Sequence, residues 1–126
     1  MRSNLAYSAY SQNSVSIESS EKLIKMLYEG VLKFASQAKK SIEFKETEKK
    51  VYWINRTTAI FSELLNSLNY DGGEIAHYLS GLYTHQIKLL SEANINDDIK
   101  KLEEVITVTK ILLKAWNEET AYEMAE

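Results

Sequence analysis

From about residue 19 onward, apolar side chains return every three or four positions, the period of a helix buried on one face. The first stripe is Leu23, Leu27, Val31, Phe34, Ala38 and Ile42. It predicts a helix that begins at Ser19 or Ser20, whose hydroxyl suits the free amides of a first turn, with Glu21 at the positive end of the helix dipole. Gly30 interrupts this stripe at a cost of ~1 kcal/mol relative to alanine, which points to close approach by a neighbouring helix or a ligand. A second helix is expected from about Thr47, as cap, to Leu68. Val51, Ile54, Thr58, Phe61, Leu65 and Leu68 form its seam, and Trp53, Ile60 and Leu64 lie beside it. A third, Glu74 to Ala93, carries Ile75, Leu79, Leu82, Gln86, Leu89 and Ala93 in one row and Ala76, Tyr83, Ile87 and Leu90 in the next. The fourth, capped by Asp97, presents Leu102, Val105, Ile106, Thr109, Leu112, Leu113 and Trp116 and is expected to fray past Glu118.

The breaks between stripes are short and carry turn chemistry: Asn69-Tyr70-Asp71-Gly72-Gly73 and Asn94-Ile95-Asn96-Asp97-Asp98. Short connections make neighbouring helices antiparallel. The fold class is therefore all-α, an antiparallel up-down four-helix bundle. Ahead of it, residues 1–18 are serine-rich and without helical period, an irregular N-terminal arm. That arm nonetheless carries Leu5, Tyr7, Tyr10, Val15 and Ile17, more apolar side chains than a purely solvated tail holds. The bundle domain is expected over 19–120 and a frayed acidic tail over 121–126.

Composition sharpens this picture by exclusion. The 126 residues include no proline and four glycines, too few breakers for a sheet protein with many turns. No cysteine is present, so disulfides, thiolate nucleophiles and zinc–sulfur sites are out of reach. The N-terminus lacks the apolar stretch of a signal peptide, and no run approaches a membrane span. A net charge of −3 with both signs interspersed offers no footprint for nucleic acid. The lysines from Lys33 to Lys50 alternate with Glu43, Glu46 and Glu48 and read as a solvated helix surface.

Helical bundles do host enzymes, chiefly through di-iron carboxylate centres, which need two Glu-x-x-His motifs and two further inward glutamates. This chain has one such motif, Glu74 to His77, and Glu74 is explained by its place in a first turn. His85 lies eight residues beyond His77, too far along a helix to share a metal with it. Gly72-Gly73 lacks the strand and Lys-Ser/Thr of a phosphate loop. The expectation is a protein without catalytic residues, metal or cofactor.

The apolar faces are wider than a bundle core requires, since three of the four helices carry a second row. Two accounts stay open on the pattern alone. One is a generous core with a homodimer interface; the other is a long groove that receives amphipathic helices from a partner, read through i, i+3, i+4 anchors.

The same residues resemble a known family, the FliS flagellin export chaperones. The likeness runs over nearly the whole chain: Ala9-Tyr10 followed by Ser-Gln-Asn-Ser-Val, then Glu21-Lys22-Leu23-Ile24-Lys25-Met26-Leu27-Tyr28-Glu29-Gly30. It continues through Gly72-Gly73-Glu74-Ile75-Ala76, Leu79, Leu82-Tyr83, Leu89, Ala93-Asn94, Leu112 and Ala115-Trp116. One departure is Ser20, where the family often has proline at the start of the first helix. The resemblance implies a chaperone of the bacterial cytoplasm that binds the disordered C-terminal segment of flagellin, prevents premature polymerisation and helps deliver it to the type III export gate. Pattern and resemblance together place the groove contacts on an outward row: Leu64, Leu68, Leu79, Tyr83, Ile87, Leu90, Val105 and Ile106. For the arm, the resemblance implies that Tyr7 and Tyr10 cover the empty groove and dock on the gate protein FlhA. A co-chaperone and a weak homodimer stand as further partners to test, and membrane insertion and nucleic acid are not expected. The competing expectation is a self-associating structural or adaptor bundle.

Overall fold

The computed structural model describes the backbone over residues 17–125 and side chains over 20–119. Four α-helices account for nearly all of it: α1 (Ile17–Glu43), α2 (Thr47–Asn66), α3 (Glu74–Asn96) and α4 (Ile99–Ala125), with a single 3₁₀ turn at Tyr70–Gly72 between α2 and α3. At 1.5 Å per residue the helices are ~30–40 Å long. Each helix packs against two others, α1 on α2 and α4, and α3 on α2 and α4. Cross-ties fix the directions. Trp116 Nε1 donates to the Glu21 carbonyl at 3.1 Å, and Lys39 meets Glu103 at 3.1 Å. The start of α1 therefore lies against the later part of α4, and its end against the start of α4. The all-α, antiparallel four-helix bundle expected from the spacing is the fold observed.

The ends of the helices depart from the sequence reading in physical detail. α1 already includes Ile17 and Glu18, so Ser19 and Ser20 lie within it. Lys45 takes a left-handed conformation, φ 58°, that turns the chain, and Glu46 N donates to the Ser41 carbonyl at 2.8 Å. Glu46 rather than Thr47 occupies the cap of α2, without a side-chain bond to the first turn. At the far end, Asn69 Oδ1 accepts from Asp71 N at 3.1 Å, and Gly73 adopts φ 96°, where a Cβ would be strained. Asp97 does not cap α4. It ends α3 in the left-handed region, and Asp98 Oδ1 takes the capping bond from Lys100 N at 3.1 Å.

The core is built from rows that lie one step round from several expected ones. In α1 the buried residues are Ile24, Tyr28, Val31, Ala35, Ala38 and Ser41, while Leu23 is 45% exposed. In α2 they are Lys50, Ile54, Thr57, Phe61 and Leu64. Gly30 serves the close approach its position suggested, because a Cβ there would meet Ile60 Cδ1 at 2.9 Å. One polar tie crosses the centre: the Tyr28 and Tyr83 hydroxyls lie 2.6 Å apart, joining α1 to α3. Lys50 is not part of a solvated face. Its Nζ donates to the Asn94 carbonyl at 2.9 Å and pairs with Asp97 Oδ1 at 2.6 Å, clamping the start of α2 to the end of α3.

Candidate functional site

The α3–α4 seam is the sparsest of the four, and a groove of about 440 Å³ runs along its outer side. From α3 it is lined by Leu82, His85, Gln86 and Leu89, and from α4 by Lys100, Glu103, Glu104, Thr107 and Val108. Residues 78, 82, 85 and 89 share one face of α3 at steps of four, three and four. That register extends the lining by one turn to Tyr78. On α4, Val108 leads three residues on to Ile111. Tyr78 and Ile111 are each 64% exposed, large apolar side chains left in water at one end of the groove. At the other end, Lys101 and Glu92 meet at 3.2 Å and bridge the two helices. The Glu92 carboxylate hydrogen-bonds and attracts that ammonium, raising its pKa.

Gln86 distinguishes the groove chemically. It sits in the inner row of α3 and is 1% exposed. Its Nε2 donates to the Leu82 carbonyl at 3.3 Å, yet its Oε1 is buried with no hydrogen-bond partner. An unpaired buried acceptor costs about 1–3 kcal/mol, so this glutamine is not explained by stability.

The outward row expected from the sequence is corrected by the packing. Leu64, Leu68, Leu79, Tyr83, Leu90 and Val105 are all buried in the common core. Tyr83 illustrates why: its ring packs 5.9 Å from Phe61, and its hydroxyl is engaged with Tyr28. Ile87 is partly buried against the core and Ile106 partly buried, and neither lines the α3–α4 groove. The residues that do line it include Leu82 and Leu89, which were not among the expected contacts. Tyr7 and Tyr10 fall outside the described residues.

Elsewhere Leu23 and Met26 on α1 and Tyr52 on α2 are exposed apolar side chains. Arg56 stacks over the rings of Phe34 at 4.9 Å and Tyr52 at 5.6 Å. Among the described residues no group of three or more His, Cys, Asp or Glu is arranged to hold a metal ion. His77 lies against the Tyr70 ring, 4.9 Å between centroids, and His85 faces the groove. No helix among the described residues is long and apolar enough to cross a membrane.

Comparison with known proteins gives a consistent answer. The family model described as "Flagellar protein FliS" matches residues 2–123. A flagellar secretion chaperone FliS of Campylobacter jejuni is 58% identical over 119 residues, covering 94% of this chain and 93% of the relative. The flagellar secretion chaperone FliS of Bacillus subtilis is 33% identical over 112 residues, 89% of this chain and 84% of the relative. FliSB of Pseudomonas aeruginosa, also a flagellar secretion chaperone, is 30% identical over 117 residues, 89% of this chain and 93% of the relative.

Proposed function

The chain belongs to the FliS family of flagellar secretion chaperones, and on that premise we propose that it holds the C-terminal segment of flagellin as an amphipathic helix in the α3–α4 groove. The observation that carries this reading is the apolar track from Tyr78 through Leu82 to Leu89, flanked by Val108 and Ile111. From Tyr78 to Leu89 it runs ~17 Å, three turns of helix, which matches anchors at i, i+3 or i+4, i+7 and i+11. A bound segment of that kind keeps its own sticky face out of contact with other flagellin subunits, so it does not polymerise in the cytosol. Ordering a disordered segment costs ~2–5 kcal/mol and demands on the order of 1,000–3,000 Å² of buried surface. The segment therefore extends past the groove onto neighbouring faces. The family resemblance assigns Tyr7 and Tyr10 of the arm to covering the empty groove and to docking on FlhA at the export gate.

The test is calorimetric titration with a synthetic peptide spanning the C-terminal helices of flagellin from the same organism. One-to-one binding with a negative heat-capacity change is expected. Leu82→Asp and Ile111→Asp should each weaken it at least tenfold without loss of helical signal. A folded protein that ignores the peptide would overturn the proposal and favour self-association through the exposed Leu23, Met26 and Tyr52 side chains, which sedimentation would then report.

A further inference from the structure

We propose that Gln86 is a specificity determinant of the α3–α4 groove, its unpaired side-chain carbonyl taking a hydrogen bond from a hydroxyl or carboxamide side chain of the bound helix. The inference rests on the groove reading above and adds to it the chemistry the occupant must carry at one position. Gln86 is the one polar residue among the buried residues of α3, alongside Ala76, Leu79, Tyr83, Leu89, Leu90 and Ala93, if the tyrosine is counted with the hydrophobic core as its ring packing warrants. A leucine or methionine would fill the same space without stranding an acceptor. The amide cannot escape by rotating end for end, because Oε1 would then face the Leu82 carbonyl, acceptor against acceptor. Other buried hydroxyls of the bundle are committed elsewhere: Thr57 donates to the Trp53 carbonyl and Thr109 to the Val105 carbonyl, each at 2.8 Å. What remains is a glutamine that both lines the groove and lacks a donor.

The class of donor follows from the surroundings. Leu82, Leu89 and Val108 form an apolar lining around Gln86, where desolvating an ammonium or guanidinium is far more costly than desolvating a neutral group. Cationic side chains of a bound helix are better served at the rim by the exposed Glu104. The groove floor therefore selects serine, threonine, asparagine or glutamine, set among apolar neighbours three or four residues away. A helix with only apolar residues there leaves the carbonyl unpaired in the complex, and discrimination against it arises from that unmet acceptor.

The experiment compares wild type, Gln86→Met and Gln86→Leu by thermal unfolding and by calorimetry with the flagellin C-terminal peptide. Two substitutions are used so that a packing failure of one, visible as lost helical signal, leaves the other to decide. The expected result is opposite movement of the two readouts. The free variants unfold at a higher temperature than wild type, yet bind the peptide roughly tenfold more weakly. Alanine replacement of each serine, threonine, asparagine and glutamine in the peptide, one at a time, should find one position that weakens binding to wild type but not to Gln86→Met. Unchanged or tighter binding by both variants overturns the inference, and so does the absence of any coupled peptide position. If Leu82→Asp abolishes binding while Gln86→Met does not affect it, the groove stands and the role of Gln86 falls. If wild type does not bind the peptide, or Leu82→Asp leaves binding intact, the groove reading falls and this inference with it.

Discussion

Tyr83 offers the sharpest test of which row of α3 faces inward. It is fully buried, packs on Phe61 and shares a 2.6 Å contact between hydroxyls with Tyr28 across the bundle. Truncating a buried aromatic to alanine costs about 3–5 kcal/mol through lost transfer energy and the cavity left behind. A domain of this size has a total stability of roughly 6–19 kcal/mol at 0.05–0.15 kcal/mol per residue. Tyr83→Ala should therefore remain folded at room temperature but with a large fraction of its margin gone. With an unfolding entropy of about 2.1 cal/mol/K per residue, a loss of 4 kcal/mol lowers Tm by about 15 °C. Tyr83→Phe keeps the ring and removes only the hydroxyl, so it should cost about 1 kcal/mol and about 4 °C. Urea titrations followed by circular dichroism measure both, with unchanged m values confirming that the transition has not altered in kind. If Tyr83→Ala unfolds within ~0.5 kcal/mol of wild type, the residue is a surface anchor and the inward assignment is wrong.

Two further predictions concern the frame. Gly30→Ala gains about 1 kcal/mol of helix propensity but sets a Cβ 2.9 Å from Ile60 Cδ1. The net change in wild type should lie within ~0.5 kcal/mol of zero because the isoleucine tip can turn aside; in an Ile60→Val background, which removes that tip, the same substitution should be more favourable by ~0.5–1 kcal/mol. Additivity of the two changes in chemical denaturation would refute the contact. Asp98→Ala should destabilise by ~1 kcal/mol by releasing the Lys100 amide, and Asp98→Asn should restore most of that. Asp97→Ala behaving as the cap instead, with Asp98→Ala silent, would reverse the assignment.

The number, order and direction of the helices were legible because each break carries its own chemistry, glycine at 72–73 and asparagine with aspartate at 94–98. Gly30 was legible too, since a glycine inside a strong stripe has few other reasons to be there. The inward row was not. In α1, Leu23 and Ile24 are adjacent and both apolar, and steps of three and four fit a stripe started from either. Tyr28 and Ala35 complete the true row, and neither is apolar enough to announce it. In α2 the buried row begins with Lys50, whose burial depends on Asn94 and Asp97 some forty-five residues away. No local pattern carries that information. The same ambiguity put Tyr83 and Leu90 on the expected outward row, although both are buried. Asp97 and Asp98 are equivalent caps by composition; only the left-handed backbone of Asp97 decides between them.

The distribution of ties among the four seams bears on how a holder can also release. The α1–α2 seam is closed by the approach of Gly30 to Ile60 and by Phe34 against Trp53, 5.3 Å between ring centroids. Trp116 and Lys39 bind α4 to α1, and Lys50 binds α2 to α3. The α3–α4 seam has its Glu92–Lys101 bridge at one end and opens toward Tyr78 and Ile111 at the other. A helix seated on that seam covers residues that are already at the surface or at the floor of a groove. Tyr83, Leu90 and Val105 beneath them stay packed, so neither capture nor release requires the core to part. Binding and folding then draw on different residues of the same two helices. The exposed groove position Ile111 should change affinity with little effect on Tm, whereas Tyr83→Phe should lower Tm and leave affinity within a factor of about two. Were the flagellin segment instead to replace a core helix or pry the seam apart, the two quantities would fall together at Tyr83, and the separation argued from these ties would fail.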